Sequence, residues 1–183
     1  MTNVYVAGIA MTVFGRHPER SLHDLAGEAL QGALADAGCA AADIGAAYYS
    51  GMTNGTLQGQ ISIPGQVIFS KIGIEGIPIY NVENACASGS SALNLAVQSL
   101  KAGTTDVTLA IGAEKMNIPD KAKAFAIFEG GWDVSRAEEN YATLIKIGEG
   151  ITPPPGSESD RPYSKFMAIY AAFCRNHMRT WGT

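Results

Sequence analysis

Apolar residues recur along the first third of the chain at two periods, one helical and one extended. Leu22, Leu25, Ala26, Ala29, Leu30, Ala33, Leu34 and Ala37 fall on one helical face. Ser21-Leu22-His23-Asp24 opens that helix as a capping pattern, and Gly38 ends it. Before it, Asn3–Ala10 predicts a strand whose apolar run implies burial on both faces, followed by a loop with Gly15, His17 and Pro18. After it, Ile44–Gly51 predicts a strand led by Tyr48 and Tyr49, and Met52–Gly59 a loop rich in Gly and Thr. A weaker helical stretch covers Pro64–Lys71, before a turn at Gly73–Gly76. Ile77–Val82 is β-branched and aromatic and predicts a strand entered through Pro78. Leu93, Ala96, Val97 and Leu100 then predict a helix to about Ala102, stopped by Gly103, with Asp106–Gly112 as the next strand. Strands alternating with helices imply an α/β fold, a mainly parallel mixed sheet with helices on both faces. The Ala and Gly content of the central helix predicts that it is enclosed rather than half exposed.

The texture changes after Met116, which divides the chain into an N-terminal α/β domain, 1–116, and a second part, 117–183. Ala124–Phe128 is apolar and Gly130-Gly131-Trp132 predicts a turn. Thr152–Asp160, with three consecutive prolines, is excluded from helix and central strand. Ser164–Trp181 predicts a last helix, apolar at Phe166, Ile169, Tyr170 and Phe173. No internal repeat is visible.

Composition narrows the function classes. At 46% hydrophobic and 16% charged, with 21 glycines in 183 residues, the chain is a compact α/β protein rather than a disordered one. A net charge of −4 without a basic cluster argues against a nucleic-acid surface. No apolar run predicts a membrane span, and the N-terminus does not read as a secretory signal. Three cysteines, odd in number and far apart, fit a reducing cytoplasm. There is no Gly-x-Gly-x-x-Gly after the first strand and no P-loop, and Ser88 and Ser90 do not form a Gly-x-Ser-x-Gly elbow.

The residue with the most chemical promise is Cys86. It lies among very small residues, Ala85–Ser91, where the predicted strand gives way to the predicted central helix. Unpaired N–H groups and the dipole at a helix amino terminus favour negative charge and lower a thiol pKa. The same N–H groups can hold an oxyanion. The competing reading is a small buried apolar cysteine, since no base is identifiable nearby. Cys39, just past the first helix, reads as structural. His17, His23 and His177 read as surface or packing residues, and Cys174 with His177, at i and i+3 without a further pair, makes no metal site. Glu83 and Asn84 border Cys86 as members of a hydrogen-bond network.

Asn84-Ala85-Cys86-Ala87-Ser88-Gly89-Ser90-Ser91-Ala92-Leu93 resembles the nucleophile motif of thiolases. Gly76-Ile77-Pro78 and Ala113-Glu114-Lys115-Met116 sit where such enzymes carry similar residues. The likeness extends from Val4 to Gly182 and is strongest to the sterol-carrier-protein, or lipid-transfer, type. It implies a thiolase-like N-terminal half followed by the beginning of the loop (lid) domain, the insertion that shapes the acyl pocket. It implies that Cys86 carries the acyl thioester, with its backbone N–H as an oxyanion donor. The substrates are then an acyl-CoA thioester and coenzyme A, with no bound cofactor and no metal, in lipid metabolism such as fatty acid β-oxidation. A homodimer or homotetramer is expected, with Tyr80–Asn84 and the Met52–Gly59 loop near the contact. Some relatives also pair with a small zinc-ribbon/OB-fold protein. The family's Gly-His-Pro motif and its second cysteine, in a Cys-x-Gly setting, do not occur. The chain therefore reads as a shortened chain, a part of a longer protein, or a subunit completed by another chain, with its end just after a helix favouring the first. The resemblance leaves open a ketoacyl-synthase-like enzyme, a retro-aldolase of the lipid-transfer group, and a non-catalytic subunit.

Overall fold

The computed structural model describes residues 3–152, 155–157 and 164–183. In chain order the elements are α1 (Leu22–Ala37), β1 (Ala46–Ser50), α2 (Asn54–Gln58), α3 (Pro64–Lys71), β2 (Ile79–Val82), α4 (Ser88–Lys101), β3 (Thr108–Gly112), α5 (Lys121–Ala126), α6 (Ala137–Lys146) and α7 (Lys165–Trp181). The start and stop of α1 follow from its sequence. The Ser21 hydroxyl accepts from the Asp24 N–H, and the Asp24 carboxylate accepts from the Ser21 N–H. Gly38 then turns into the left-handed region at φ 66° and its N–H satisfies the last carbonyls.

Among the described residues the sheet has three parallel strands in the order β2-β1-β3. All five residues of the middle strand, β1, are buried, and alternation assigns them to two cores. Ala47 and Tyr49 pack with Leu30 of α1 and with Ile68 and Phe69 of α3. Ala46 and Tyr48 pack on the other face with Ala92 and Ala96 of α4. The parallel sheet with helices on both faces is thus as expected from the strand–helix alternation.

Three expectations need correction. Asn3–Ala10 is not a strand: among the described residues it makes no backbone–backbone hydrogen bond, and Tyr5, Val6 and Ile9 are each at least 74% exposed. The segment lies along α1, where the Ile9 N–H donates to the Asp36 carboxylate at 2.9 Å. It is held close, since a Cβ at Gly8 would stand 2.3 Å from the Ala33 carbonyl oxygen. The physical reason is the lack of a neighbour: a cleft of about 1260 Å³ separates this apolar run from β3. Second, α4 is not enclosed. Its buried residues are Ser88, Ala92 and Ala96, while Leu93 on another face is 52% exposed. The small residues seat the helix on the sheet rather than signalling burial all round. Third, the Met52–Gly59 loop contains α2, closed by Gly59 at φ 76°. The expectation for Thr152–Asp160 falls largely on 153, 154 and 158–160, which lie outside the described residues.

The chain divides into two compact units, Met1–Ala124 and Phe125–Thr183. In the second, α6 packs on α7. Gly148 allows the approach, because a Cβ there would lie 2.7 Å from Ala172 Cα. Phe128, Trp132 and Tyr170 surround the Phe166 ring at centroid distances of 5.0–6.4 Å.

Candidate functional site

Cys86 lies in a single 3-10 turn, Ala85–Ala87, between the end of β2 and the first residue of α4. The thiol-bearing residue is exposed, and its Sγ makes no hydrogen bond among the described residues. Its position is the carboxyl edge of a parallel sheet beside the middle strand, where α/β proteins place their ligands. The Gly51 N–H donates to the Val82 carbonyl at 3.4 Å, which ties the end of β1 to the end of β2. A Cβ at Gly89 would come within 4.0 Å of Ser50 Oγ, so the first turn of α4 rests on the last residue of β1.

The turn is strained and clamped. Ala85 has φ 46°, a left-handed conformation that costs a residue with a Cβ about 1–2 kcal/mol. Polar contacts oppose that cost. The Glu83 carboxylate accepts from the Ala85 N–H at 2.7 Å. Buried Ser88 accepts from the Asn84 N–H at 2.8 Å and donates to the Ala85 carbonyl at 2.7 Å. The Asn84 amide donates to Ser91 Oγ at 2.9 Å. Glu83 and Asn84 therefore belong to a local network, as read from the sequence. Sequence reasoning did not find Ser88 as its buried centre. The signal available was a serine two positions past the cysteine with a side chain short enough to reach back over the turn.

A second network ties the ends of β1 and β3 together. The Glu114 carboxylate accepts from the N–H groups of Met52 and Thr53 at 2.5 and 3.0 Å. Tyr49 donates its hydroxyl to the Ala113 carbonyl at 2.9 Å and accepts from the Asn54 amide at 2.5 Å. Burial, reinforced by the Glu114 charge, pushes the Tyr49 hydroxyl up to about 12, against the smaller lowering effect of the Asn54 bond. The Lys115 ammonium donates to the Pro18 and Arg20 carbonyls at 3.0 and 2.5 Å. The Ala113-Glu114-Lys115-Met116 stretch thus fixes the loops on both sides of it.

This geometry and the sequence around it can be set beside known proteins. The family model for the thiolase N-terminal domain matches residues 4–146. The chain belongs to the thiolase family. An acetyl-CoA acetyltransferase of Methanothermobacter thermautotrophicus is 31% identical over 184 residues, covering 100% of this chain and 41% of the relative. A non-specific lipid-transfer protein-like 2 of Caenorhabditis elegans is 40% identical over 183 residues, covering 98% of this chain and 40% of the relative. This thiolase-family chain therefore spans well under half the length of those curated relatives. Among solved structures, a 3-oxoacyl-(acyl carrier protein) synthase III from Xanthomonas oryzae pv. oryzae matches with TM-score 0.49 and 19% identity, over 69% of this chain and 37% of that one. That match is too loose to bear on chemistry.

The other candidate residues have contacts of their own. His17 Nε2 is 2.8 Å from the Val13 carbonyl and His23 Nε2 is 3.3 Å from the Val67 carbonyl. His177 lies on α7, with its ring 6.3 Å from that of Trp181. Cys39, half-buried, faces the Ala37 carbonyl at 3.7 Å. Among the described residues no three His, Cys, Asp or Glu side chains form a metal-binding group, and no helix is long and apolar enough to cross a membrane.

Proposed function

We propose that this chain carries the nucleophile of a thiolase-type acyl transfer on CoA thioesters, with Cys86 as the acyl carrier. The observation that supports this most is the exposed thiol on a clamped turn at the start of α4, beyond the carboxyl end of a parallel sheet. The Cys86 thiolate attacks the 3-oxo carbon of a 3-oxoacyl-CoA, and the oxyanion takes a hydrogen bond from the Cys86 N–H. Collapse breaks the Cα–Cβ bond, acetyl-CoA leaves once its carbanion is protonated, and the shortened acyl group stays on sulfur. A second CoA thiol then displaces it, regenerating Cys86. Two easier steps replace one hard one. The acid and base come from sequence outside this chain, because neither His17 nor His23 is bonded to the thiol and both have backbone partners. On this reading 117–183 begin the loop domain, coenzyme A is a co-substrate rather than a resident cofactor, and the active assembly is a homo-oligomer in the cytoplasm.

The test is acylation. An assembly containing this chain is incubated with a 3-oxoacyl-CoA and its peptides are mapped by mass spectrometry. The adduct is expected on the peptide containing Cys86 and absent in Cys86→Ala. An adduct on Cys39 or Cys174, or turnover surviving Cys86→Ala, overturns the assignment. Labelled CoA entering the product separates this route from a retro-aldol cleavage, which needs no second CoA.

A further inference from the structure

Two polar atoms on consecutive residues are enclosed without a partner. Thr53 is 0% and Asn54 2% exposed. Among the described residues neither Thr53 Oγ1 nor Asn54 Oδ1 has a hydrogen-bond partner, so the two are not bonded to each other. One orphaned buried polar group lowers a folding constant by about five- to a hundredfold. A native fold rarely keeps two side by side.

Local geometry explains why the chain satisfies neither. Thr53 has φ −93° and ψ −13°, and in that helical conformation its hydroxyl does not cap the N–H groups of α2. The Met52 and Thr53 N–H groups go to the Glu114 carboxylate instead. The Asn54 amide donates to the Tyr49 hydroxyl at 2.5 Å, and that hydroxyl gives its own proton to the Ala113 carbonyl. Turning the amide over does not help. Its oxygen would then compete with the Ala113 carbonyl for the Tyr49 proton, and its nitrogen would become the orphan.

Whatever satisfies these atoms is small and enclosed. Both are covered by the fold, so a side chain of another molecule cannot touch them unless the loop opens. A hard metal cation takes more oxygen ligands than these two. A water has the right chemistry, since it donates one hydrogen to the amide oxygen and either donates to or accepts from the hydroxyl.

We propose that one internal water bridges Thr53 Oγ1 and Asn54 Oδ1 and extends the network that joins Asn54 through Tyr49 to Ala113. The loop after β1 is then held in two ways, through its N–H groups by Glu114 and through its side chains by the water. The inference is independent of any role for Cys86. The test rests on the sign of one substitution. Thr53→Val keeps the shape of the side chain and removes only the hydroxyl. Stability of the full chain is read from exchange of the β1 amides against urea. With a bridging water the folding constant should fall by about fivefold, whereas removal of an orphaned hydroxyl would raise it. In an Asn54→Leu background the water has lost its other anchor, so the Thr53→Val penalty should vanish or reverse. A high-resolution crystal structure of the parent chain should show a water within hydrogen-bond distance of both atoms, and this observation stands whether or not the variants fold. Four results overturn the proposal: a folding constant raised or unchanged by Thr53→Val, an equal penalty in both backgrounds, no water between the two atoms, and a density peak there with the multiple short oxygen contacts of a cation.

Discussion

Replacing Ser88 with alanine tests whether the Cys86 turn is held by the contacts described above. Ser88 is buried, and its hydroxyl makes two short bonds, from the Asn84 N–H and to the Ala85 carbonyl, at 2.8 and 2.7 Å. Removing both forfeits about 1 kcal/mol each and leaves the Asn84 N–H without its side-chain acceptor, while the Ala85 carbonyl keeps the Ser88 backbone N–H. The expected loss is about 2–3 kcal/mol, which also removes what offsets the left-handed strain at Ala85. The turn then relaxes and Cys86 moves relative to the start of α4. Ala85→Gly acts in the opposite sense, because glycine adopts φ 46° without steric cost, and is expected to be neutral or stabilising by up to about 1 kcal/mol. Both tryptophans, Trp132 and Trp181, lie in the second unit, so their fluorescence does not report this change. Exchange of the β1 amides against urea does. Alkylation by iodoacetamide near pH 7 supplies the functional readout, with Cys174 and Cys39 in the same digest as references. Cys86 should label fastest in the parent chain and several-fold slower in Ser88→Ala. A stability change below about 0.5 kcal/mol with unchanged labelling would refute the clamp.

Three further outcomes follow from the same packing. Because the folded-state hydroxyl of Tyr49 titrates near 12 against 10 when exposed, the unfolded chain releases its proton first. Stability from this group is intact below pH 10 and falls by about 1.4 kcal/mol per pH unit as pH rises toward 12. Urea midpoints between pH 9 and 12 should show this fall in the parent chain and a shallower one in Tyr49→Phe; parallel curves would contradict it. Gly112→Ala places a Cβ 2.5 Å from Ser50 Oγ and 3.0 Å from the Ser50 carbonyl oxygen. It should cost about 2 kcal/mol in β1 exchange, and a neutral result would mean that β1 and β3 separate freely at that end. Gly148→Ala forces α6 and α7 apart and should lower the melting of the second unit, seen by tryptophan emission, by about 1–3 kcal/mol.

Much of this fold is written locally. The capping pattern at Ser21 and Asp24, the glycine stop at Gly38 and the period of α1 each act within a few residues, and all three are found where the sequence places them. β1, β2 and β3 are likewise legible because their apolar side chains meet helices that the same stretch of chain supplies. Asn3–Ala10 shows the limit. Its residues satisfy every local criterion for a buried strand, yet a strand exists only when a neighbour takes its backbone bonds. α4 fails for the same kind of reason. An Ala-rich stripe shows how closely a helix can approach a sheet, but not whether anything covers its other side.

The candidate site divides in the same way. That a thiol would sit where a strand meets a helix was legible, because strand and helix are each periodic and the small residues between them are not. That Ala85 would turn left-handed was not, since alanine carries no such preference and the conformation is imposed by Glu83, Asn84 and Ser88 acting together. Glu114 is the parallel case. The Ala-Glu-Lys-Met stretch was legible as part of the resemblance, but the use of its charge becomes visible only when β1 and β3 align so that Ser50 lies opposite Gly112. The register then brings the Met52 and Thr53 N–H groups, just past the carboxyl end of the neighbouring strand, to one carboxylate. The position of the thiol is thus a local property of the chain, while the rigidity around it is a property of the sheet. A substitution at Glu114 should therefore loosen the Met52–Asn54 loop while the Cys86 turn, clamped by its own neighbours, keeps its shape.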